Sequence, residues 1–106
     1  MRKGNVYVHG VYAGVICEDD SGKFEFTYDT EYVKNKEAAP VCLAMPTTQL
    51  TYNSDYLFPF FSNLLSEGEN RKMQATYLGI DENDDFGILL ETASYDTIGC
   101  VTVKKI

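Results

Sequence analysis

The chain has 106 residues, a mass of 11.9 kDa and a formal net charge of −7 at pH 7. This length suits one domain and is too short for a two-lobed kinase or a doubly wound nucleotide-binding domain. An acidic protein repels a phosphate backbone, so we expect no direct nucleic-acid binding. No apolar run approaches the roughly 20 residues that cross a bilayer, and no signal-peptide core follows the N-terminus, so we expect a cytoplasmic location without membrane contact.

The first strands are predicted to form a hairpin. Two runs of valine and tyrosine, Val6–Val8 and Val11–Tyr12, flank His9-Gly10, and Gly10 can adopt the positive φ that a two-residue turn requires. Gly14 indicates a bulge or a close backbone approach in the second strand.

A third strand is predicted from period-two alternation over residues 23–28. Its apolar side chains, Phe24, Phe26 and Tyr28, lie on one face, which is typical of a half-buried antiparallel strand. Residues 29–33 then resemble a short turn in which Tyr32 folds back as an apolar lid.

Two further short strands are predicted before the helices. Val41–Met45 is a short apolar run enclosed by Pro40 and Pro46, which favours an edge strand. Residues 49–52 are a candidate for one more strand.

The apolar period changes to three and four residues from Ser54 onward, which is typical of helices. Pro59 suits only a first helical turn, so the first helix is predicted to begin near Phe58. Five large apolar residues follow within eight positions, and two interpretations stay open. Either neighbouring elements cover them all, or part of this surface awaits a partner. These residues are Phe58, Phe60, Phe61, Leu64 and Leu65.

Ser66 and Glu69 fit a capping box at the start of a second helix. That helix is predicted to end at Gly79, and three of its side chains are predicted to face inward. They are Met73, Tyr77 and Leu78.

A third short helix, capped by residues 83–85, carries Phe86, Leu89 and Leu90, and the segment Ile98–Val103 is predicted to pair with the N-terminal strands. Strand runs followed by helix runs predict an α+β fold. We expect a small twisted antiparallel sheet, made of N-terminal hairpins and a C-terminal strand, that is covered by two or three short helices.

The three cysteines are widely spaced and each has apolar neighbours. Zinc sites use close pairs of ligands, and secreted disulfide frameworks favour an even count. We therefore predict free, buried thiols in a reducing compartment and no metal site. The cysteines are Cys17, Cys42 and Cys100.

No arrangement of residues predicts catalysis, so we expect a non-enzymatic protein without a cofactor. Residues 81–85 imitate the start of a calcium loop, but Phe86 and Thr92 replace the glycine and glutamate that the loop requires. A small enzyme that uses Cys17 or His9 is the alternative from another class, and thiol modification would test it.

The chain resembles the N-terminal domain of the HipA-type serine/threonine kinases from about residue 5 to residue 103. The more specific segments are FPFFSNLLSEGENR at residues 58–71 and DTIGCV at residues 96–101. Ser66 stands where the family usually has proline, and Glu69 stands where it often has a large residue, commonly tryptophan. The weaker matches are residues 9–14, 24–29, 41–46, 78–80 and 84–87.

The resemblance implies a single HipA N-terminal-like domain over residues 1–106. In the family, ATP, magnesium and the catalytic residues belong to a kinase body, which is expected to be absent here. The resemblance further implies a HipS-like subunit of a HipBST-type toxin–antitoxin system, which binds and neutralises a HipA-like kinase. A helix-turn-helix DNA-binding protein is the other expected member of that complex. The alternative is a structural subunit that completes and stabilises an active kinase.

The predicted docking surface centres on the loop between the first two helices. Gly68 permits close backbone approach, and Arg71 supplies the planar donor group that is enriched at binding hot spots. The competing interpretation is that the loop only caps a helix and that Arg71 is solvated. The predicted docking residues are Ser66, Glu67, Gly68, Glu69, Asn70 and Arg71, with support from Asn63 and exposed parts of Phe58 and Phe61.

Overall fold

The computed structural model describes residues 1–65, 68–93 and 101–106, which form five strands and four helices. All strand pairs are antiparallel, in the order β4-β3-β2-β1-β5, so the predicted α+β fold is confirmed. The strands are β1 Arg2–Val8, β2 Val11–Glu18, β3 Phe24–Tyr28, β4 Thr51–Ser54 and β5 Val101–Lys105. The helices are α1 Thr30–Lys34, α2 Pro59–Ser62, α3 Gly68–Leu78 and α4 Asp85–Thr92.

The β1–β2 hairpin closes through two residues with positive φ. His9 has a φ of 51° and Gly10 a φ of 79°, as the primed two-residue turns require. A bulge follows, because the β1–β2 register shifts between Val6 and Tyr7. A Cβ on Gly14 would lie 2.2 Å from the carbonyl oxygen of Thr27, so the predicted close backbone approach is confirmed.

The core lies between one face of the sheet and the helices. The alternating residues of β3 are buried as predicted, and the Phe26 ring contacts Tyr28 edge-on at 4.8 Å between centroids. Phe26 also packs against Phe61 of α2, and Phe24 packs against Phe86 of α4. Strand β3 therefore anchors both helices to the sheet.

Helix α2 is a single turn with Pro59 at its first position, as the proline predicts. Phe58, Phe61 and Leu65 are buried in the domain core, whereas Phe60 and Leu64 are partly buried against it. Coverage by the domain itself therefore accounts for most of this apolar segment.

The predicted edge strand at Val41–Met45 is wrong. The hydroxyl of Tyr28 donates to the carbonyl oxygen of Met45 at 2.5 Å and accepts from the N–H of Val41 at 2.9 Å. The segment therefore wraps around a buried tyrosine. The fourth strand is Thr51–Ser54, which begins two residues later than the candidate at 49–52.

The predicted turn after β3 is a five-residue helix, α1. Asp29 caps it by accepting from the N–H of Tyr32 at 3.3 Å, and Tyr32 is buried, as the lid prediction requires. Of the predicted C-terminal strand, residues 101–103 lie in β5, and residues 98–100 lie outside the described residues.

Two of the three predicted thiols can be placed. Cys17 and Cys42 are free thiols, as predicted, but they are half-buried, so the predicted burial is wrong for both. Cys100 lies outside the described residues. In the described part of the chain, no helix has the length and apolar character to cross a membrane.

Candidate partner-binding surface

Helix α3 presents apolar side chains away from the core. Met73 is 68% exposed and Tyr77 is 90% exposed, so the prediction that they face inward is wrong. The buried residue of this helix is Ala75. At about 100° per residue, Met73 and Tyr77 each lie roughly 200° around the helix from Ala75. Arg71, Ala75 and Leu78 form the inward stripe instead.

Arg71 connects α3 to the start of α4. Its Nε donates to the carbonyl oxygen of Glu82 at 2.7 Å, and its guanidinium pairs with the carboxylate of Asp85. The donors that made Arg71 a docking candidate are therefore engaged within the domain. The competing interpretation of a solvated helix residue is wrong, because the side chain is only 22% exposed. Docking through Arg71 stays a prediction.

The structure describes part of the predicted docking loop, from Gly68 onward. Gly68 has a φ of 61° and open space where a Cβ would stand, so its backbone is accessible. Glu69, Asn70 and Asn63 are exposed. Ser66 and Glu67 lie outside the described residues, and so does the predicted capping box that needs Ser66.

Two predicted supporting residues cannot present the surface expected of them. Phe61 is 0% exposed and Phe58 is 8% exposed, with their rings 6.3 Å apart at the centroids. Burial against β3 explains the difference, since Phe61 also packs on Phe26. These phenylalanines hold the segment before the loop in place and do not line its surface.

We define the outer face of α3 by the exposed residues Glu69, Asn70, Met73 and Tyr77. Positions 69, 73 and 77 are four residues apart, and positions 70, 73 and 77 follow the three-and-four spacing of one helix face. The sequence carried a signal for this face. Met73 and Tyr77 lie on the side of α3 opposite Ala75, so the helix carries apolar residues on two sides and the core covers one of them.

A second charged cluster fixes α4 against the sheet. Arg2 forms two hydrogen bonds with Asp84, at 2.8 and 3.0 Å, and its Nε donates to Glu18 at 2.9 Å. Asp84 also caps α4 by accepting from the N–H of Gly87 at 3.2 Å. The bonds from Arg2 hold the pKa of Asp84 below its ordinary value. This cluster is structural, and no local sequence pattern indicated it, because Arg2 and Asp84 are 82 positions apart.

The described residues offer little for metal or thiol chemistry. Within residues 1–65, 68–93 and 101–106, no group of three or more His, Cys, Asp and Glu side chains is placed to hold a metal ion. Burial, and then the charge of Glu25, raises the pKa of Cys17. A raised thiol pKa lowers the thiolate fraction, which weakens the alternative of a cysteine-dependent enzyme.

The geometry can be compared with known proteins. The family model of the HipA N-terminal domain matches residues 4–104. An uncharacterized protein of Haemophilus influenzae is 33% identical over 105 residues, which cover 99% of this chain and 93% of that protein. The protein named "Putative kinase Y4mE" of Sinorhizobium fredii is 27% identical over 89 residues, which cover 84% of this chain and 21% of that protein.

A solved structure is similar over the whole chain. The N-terminal domain of HipA toxin matches with a TM-score of 0.75 and 28% identity, covering 100% of this chain and 93% of that one. Together with the family match over residues 4–104, this similarity extends from β1 to β5. The chain therefore belongs to the HipA N-terminal domain family.

Proposed function

We propose that this chain is a non-catalytic binding protein that docks on a HipA-like serine/threonine kinase and neutralises it, in the manner of HipS. The observation that carries the proposal is the exposed pair Met73 and Tyr77 on the outer face of α3, beside the predicted docking loop. Membership of the HipA N-terminal domain family supports a kinase as the partner.

The composition of the outer face suits a protein contact. Apolar side chains that are exposed together on one helix face favour coverage by another protein. Tyrosine and methionine are enriched at interfaces, and polar residues commonly surround such a centre. Glu69 and Asn70 supply polar groups beside Met73 and Tyr77, and the open backbone at Gly68 extends the accessible surface toward the loop.

The departure of this sequence from its family fits the same surface. Glu69 stands where the family often has a large residue, commonly tryptophan, so a glutamate cannot reproduce an apolar contact of such a residue. Positions 69, 73 and 77 lie on one helix face, and Met73 and Tyr77 can supply apolar contact one and two turns further along. We therefore place the apolar centre of docking on α3 itself and not in the loop.

The alternative is a structural subunit that completes an active kinase. The Sinorhizobium relative favours it, because this chain matches 21% of a protein that carries a kinase name. In that relative, a domain of this kind belongs to the same polypeptide as the rest of the protein. The helix-turn-helix partner and the cytoplasmic location stay predictions.

One experiment separates the two functions. A HipA-like kinase from the same organism is produced with and without this chain, and we measure growth, co-purification and kinase autophosphorylation. Neutralisation requires a stable complex, restored growth and reduced phosphorylation. A complex with increased phosphorylation would support the structural alternative, and the absence of any complex would refute both.

Catalysis by the chain itself is tested directly. We expect no saturable ATP binding in calorimetry and no phosphorylation by the purified protein. Saturable binding at micromolar ATP would overturn the non-catalytic assignment.

A further inference from the structure

A cleft opens between the β1–β2 turn and α1, on elements that do not contribute to the outer face of α3. Its volume is about 570 Å³, within the roughly 300–1,000 Å³ range of ligand sites. We name it the hairpin pocket and define it by its apolar and aromatic walls, which are Val8, Val11, Tyr12, Tyr32 and Ala38.

The walls of the hairpin pocket are held in place by the fold. Tyr12 packs edge-on against Tyr7, with 5.8 Å between ring centroids. Tyr32 is stacked parallel to Tyr28 at 6.2 Å, and its hydroxyl donates to the carbonyl oxygen of Ala39. A ligand would therefore meet an existing cleft and would not need to order these side chains.

The hairpin pocket exposes apolar surface to solvent. Val11 is 57% exposed and Tyr12 is 38% exposed, although both belong to a strand of the central sheet. Exposed apolar atoms that line one cleft indicate a binding site more strongly than scattered exposed atoms do, because one bound group can cover them all.

The charges around the hairpin pocket are negative. Three acidic residues, Asp29, Glu31 and Glu37, line it beside His9 and Asn35, and none of its described lining residues is a lysine or an arginine. Lys34 pairs with Glu31 at 3.2 Å but is itself highly exposed. Burial raises the pKa of the Tyr12 hydroxyl, and the charge of Asp29 adds to this increase as the second cause.

We propose that the hairpin pocket binds an arginine side chain that a protein partner presents. Apolar walls suit the methylene stem, the ring of Tyr12 suits stacking with a planar guanidinium, and the carboxylates suit its charge. Arginine is favoured over lysine, because guanidinium is more weakly hydrated and stacks on aromatic rings. The inference does not depend on the proposed kinase contact, since the two surfaces use different elements.

The test uses nuclear magnetic resonance of the isotope-labelled chain and three capped pentapeptides that differ at one central residue. The arginine peptide is expected to cause saturable shifts at the amides of Val11, Tyr12 and Ala38, and the shifts should weaken as salt increases. The citrulline peptide, which has the same shape without charge, is expected to cause none. The lysine peptide is expected to bind more weakly than the arginine peptide.

Variants test whether the acidic residues and the Tyr12 ring of the hairpin pocket contribute to arginine binding. The double variant Glu31→Gln/Glu37→Gln is expected to weaken arginine binding several-fold, whereas Glu82→Gln, which removes an exposed carboxylate elsewhere, should leave it unchanged. Tyr12→Leu should remove the preference for arginine over lysine while keeping the dispersed spectrum of a folded protein.

Three results would overturn the inference. They are the absence of saturable shifts at millimolar arginine peptide, equal binding of the citrulline peptide, and shifts located away from the hairpin pocket. Equal effects of the double variant and the Glu82 control would also exclude the pocket carboxylates from binding.

Discussion

Helices α3 and α4 are neighbours in sequence and in space, yet they have opposite relations to the core. Helix α4 buries Phe86, Ile88, Leu89 and Leu90, and Asp84 caps its start. Helix α3 lies within the described residues 68–93 and buries Ala75 alone. The difference indicates a division of tasks, in which α4 stabilises the domain and α3 displays a surface.

The largest expected effect on stability is in the buried helix α4. Leu89→Ala, at a position that is 0% exposed, should lower the free energy of unfolding by about 2–5 kcal/mol, because it removes buried methyl groups and leaves a cavity. Urea denaturation followed by circular dichroism measures the change. Met73→Ala is the matched helical control and should change stability by less than about 0.5 kcal/mol. Similar losses for both variants would abolish the contrast between the helices.

The cap of α4 should contribute the next largest effect. Asp84→Ala should cost about 1–2 kcal/mol, because Gly87 loses its cap acceptor and Arg2 loses one of its two carboxylate partners. The stability from this pair is fully present above the unfolded carboxyl pKa of about 4. It is lost as the pH falls through the lowered pKa of the folded state. Unfolding curves between pH 7 and pH 2 should therefore show a smaller acid loss in Asp84→Asn than in the wild type.

The third-largest effect on stability is expected at Arg71, which connects α3 to α4. Arg71→Ala should lower stability by about 1 kcal/mol, because the carbonyl of Glu82 and the carboxylate of Asp85 lose a charged partner that is partly exposed to water. Hydrogen exchange should accelerate in α3 more than in α4, since α3 has few other buried contacts. Lys72→Ala is the adjacent control, and equal exchange in both variants would refute the connecting role of Arg71.

The smallest effect on stability should accompany the largest effect on binding. Met73→Ser/Tyr77→Ser should leave the melting temperature nearly unchanged, because both side chains are solvent-exposed. The same variant should weaken kinase binding by about 2 kcal/mol or more, as removal of an interface centre does. Calorimetric titration with the kinase measures it, and Leu43→Ser, which alters a loop residue that is 96% exposed, is the control. Wild-type affinity in the double variant would place docking elsewhere.

Local patterns predicted the parts of the fold that depend on neighbouring residues. The alternation of β3, the positive φ of Gly10 and the end of α3 at Gly79 all follow from residues within a few positions. Phe86, Leu89 and Leu90, the three apolar residues assigned to this helix from the sequence, are buried in α4, whereas the burial of Ile88 was not predicted. These elements were correct because no distant partner was needed to choose their conformation.

Distant partners explain the errors. Val41–Met45 has the composition of a strand, but the N–H of Val41 and the carbonyl oxygen of Met45 are hydrogen-bonded to the hydroxyl of Tyr28. The sequence alone allows either side of α3 to face the core. The side that does so carries Ala75 and also Arg71, which pairs with Asp85 of α4. The bond between Arg2 and Asp84 spans 82 positions, which no local pattern reports. The predicted docking surface rested on residue types and their positions in the sequence. It therefore included Phe58 and Phe61, which are buried in the core.

The order of strands in the sheet also sets the order in which the domain can be completed. Strand β1 is made first and lies between β2 and β5, and β5 is the last of the five strands to be synthesised. During translation, one edge of β1 therefore stays unpaired until residues 101–105 have left the ribosome. An open strand edge can pair with another chain. Pairing with β5 therefore covers a strand edge that β1 would otherwise expose to other chains after β2 has already paired with its opposite edge.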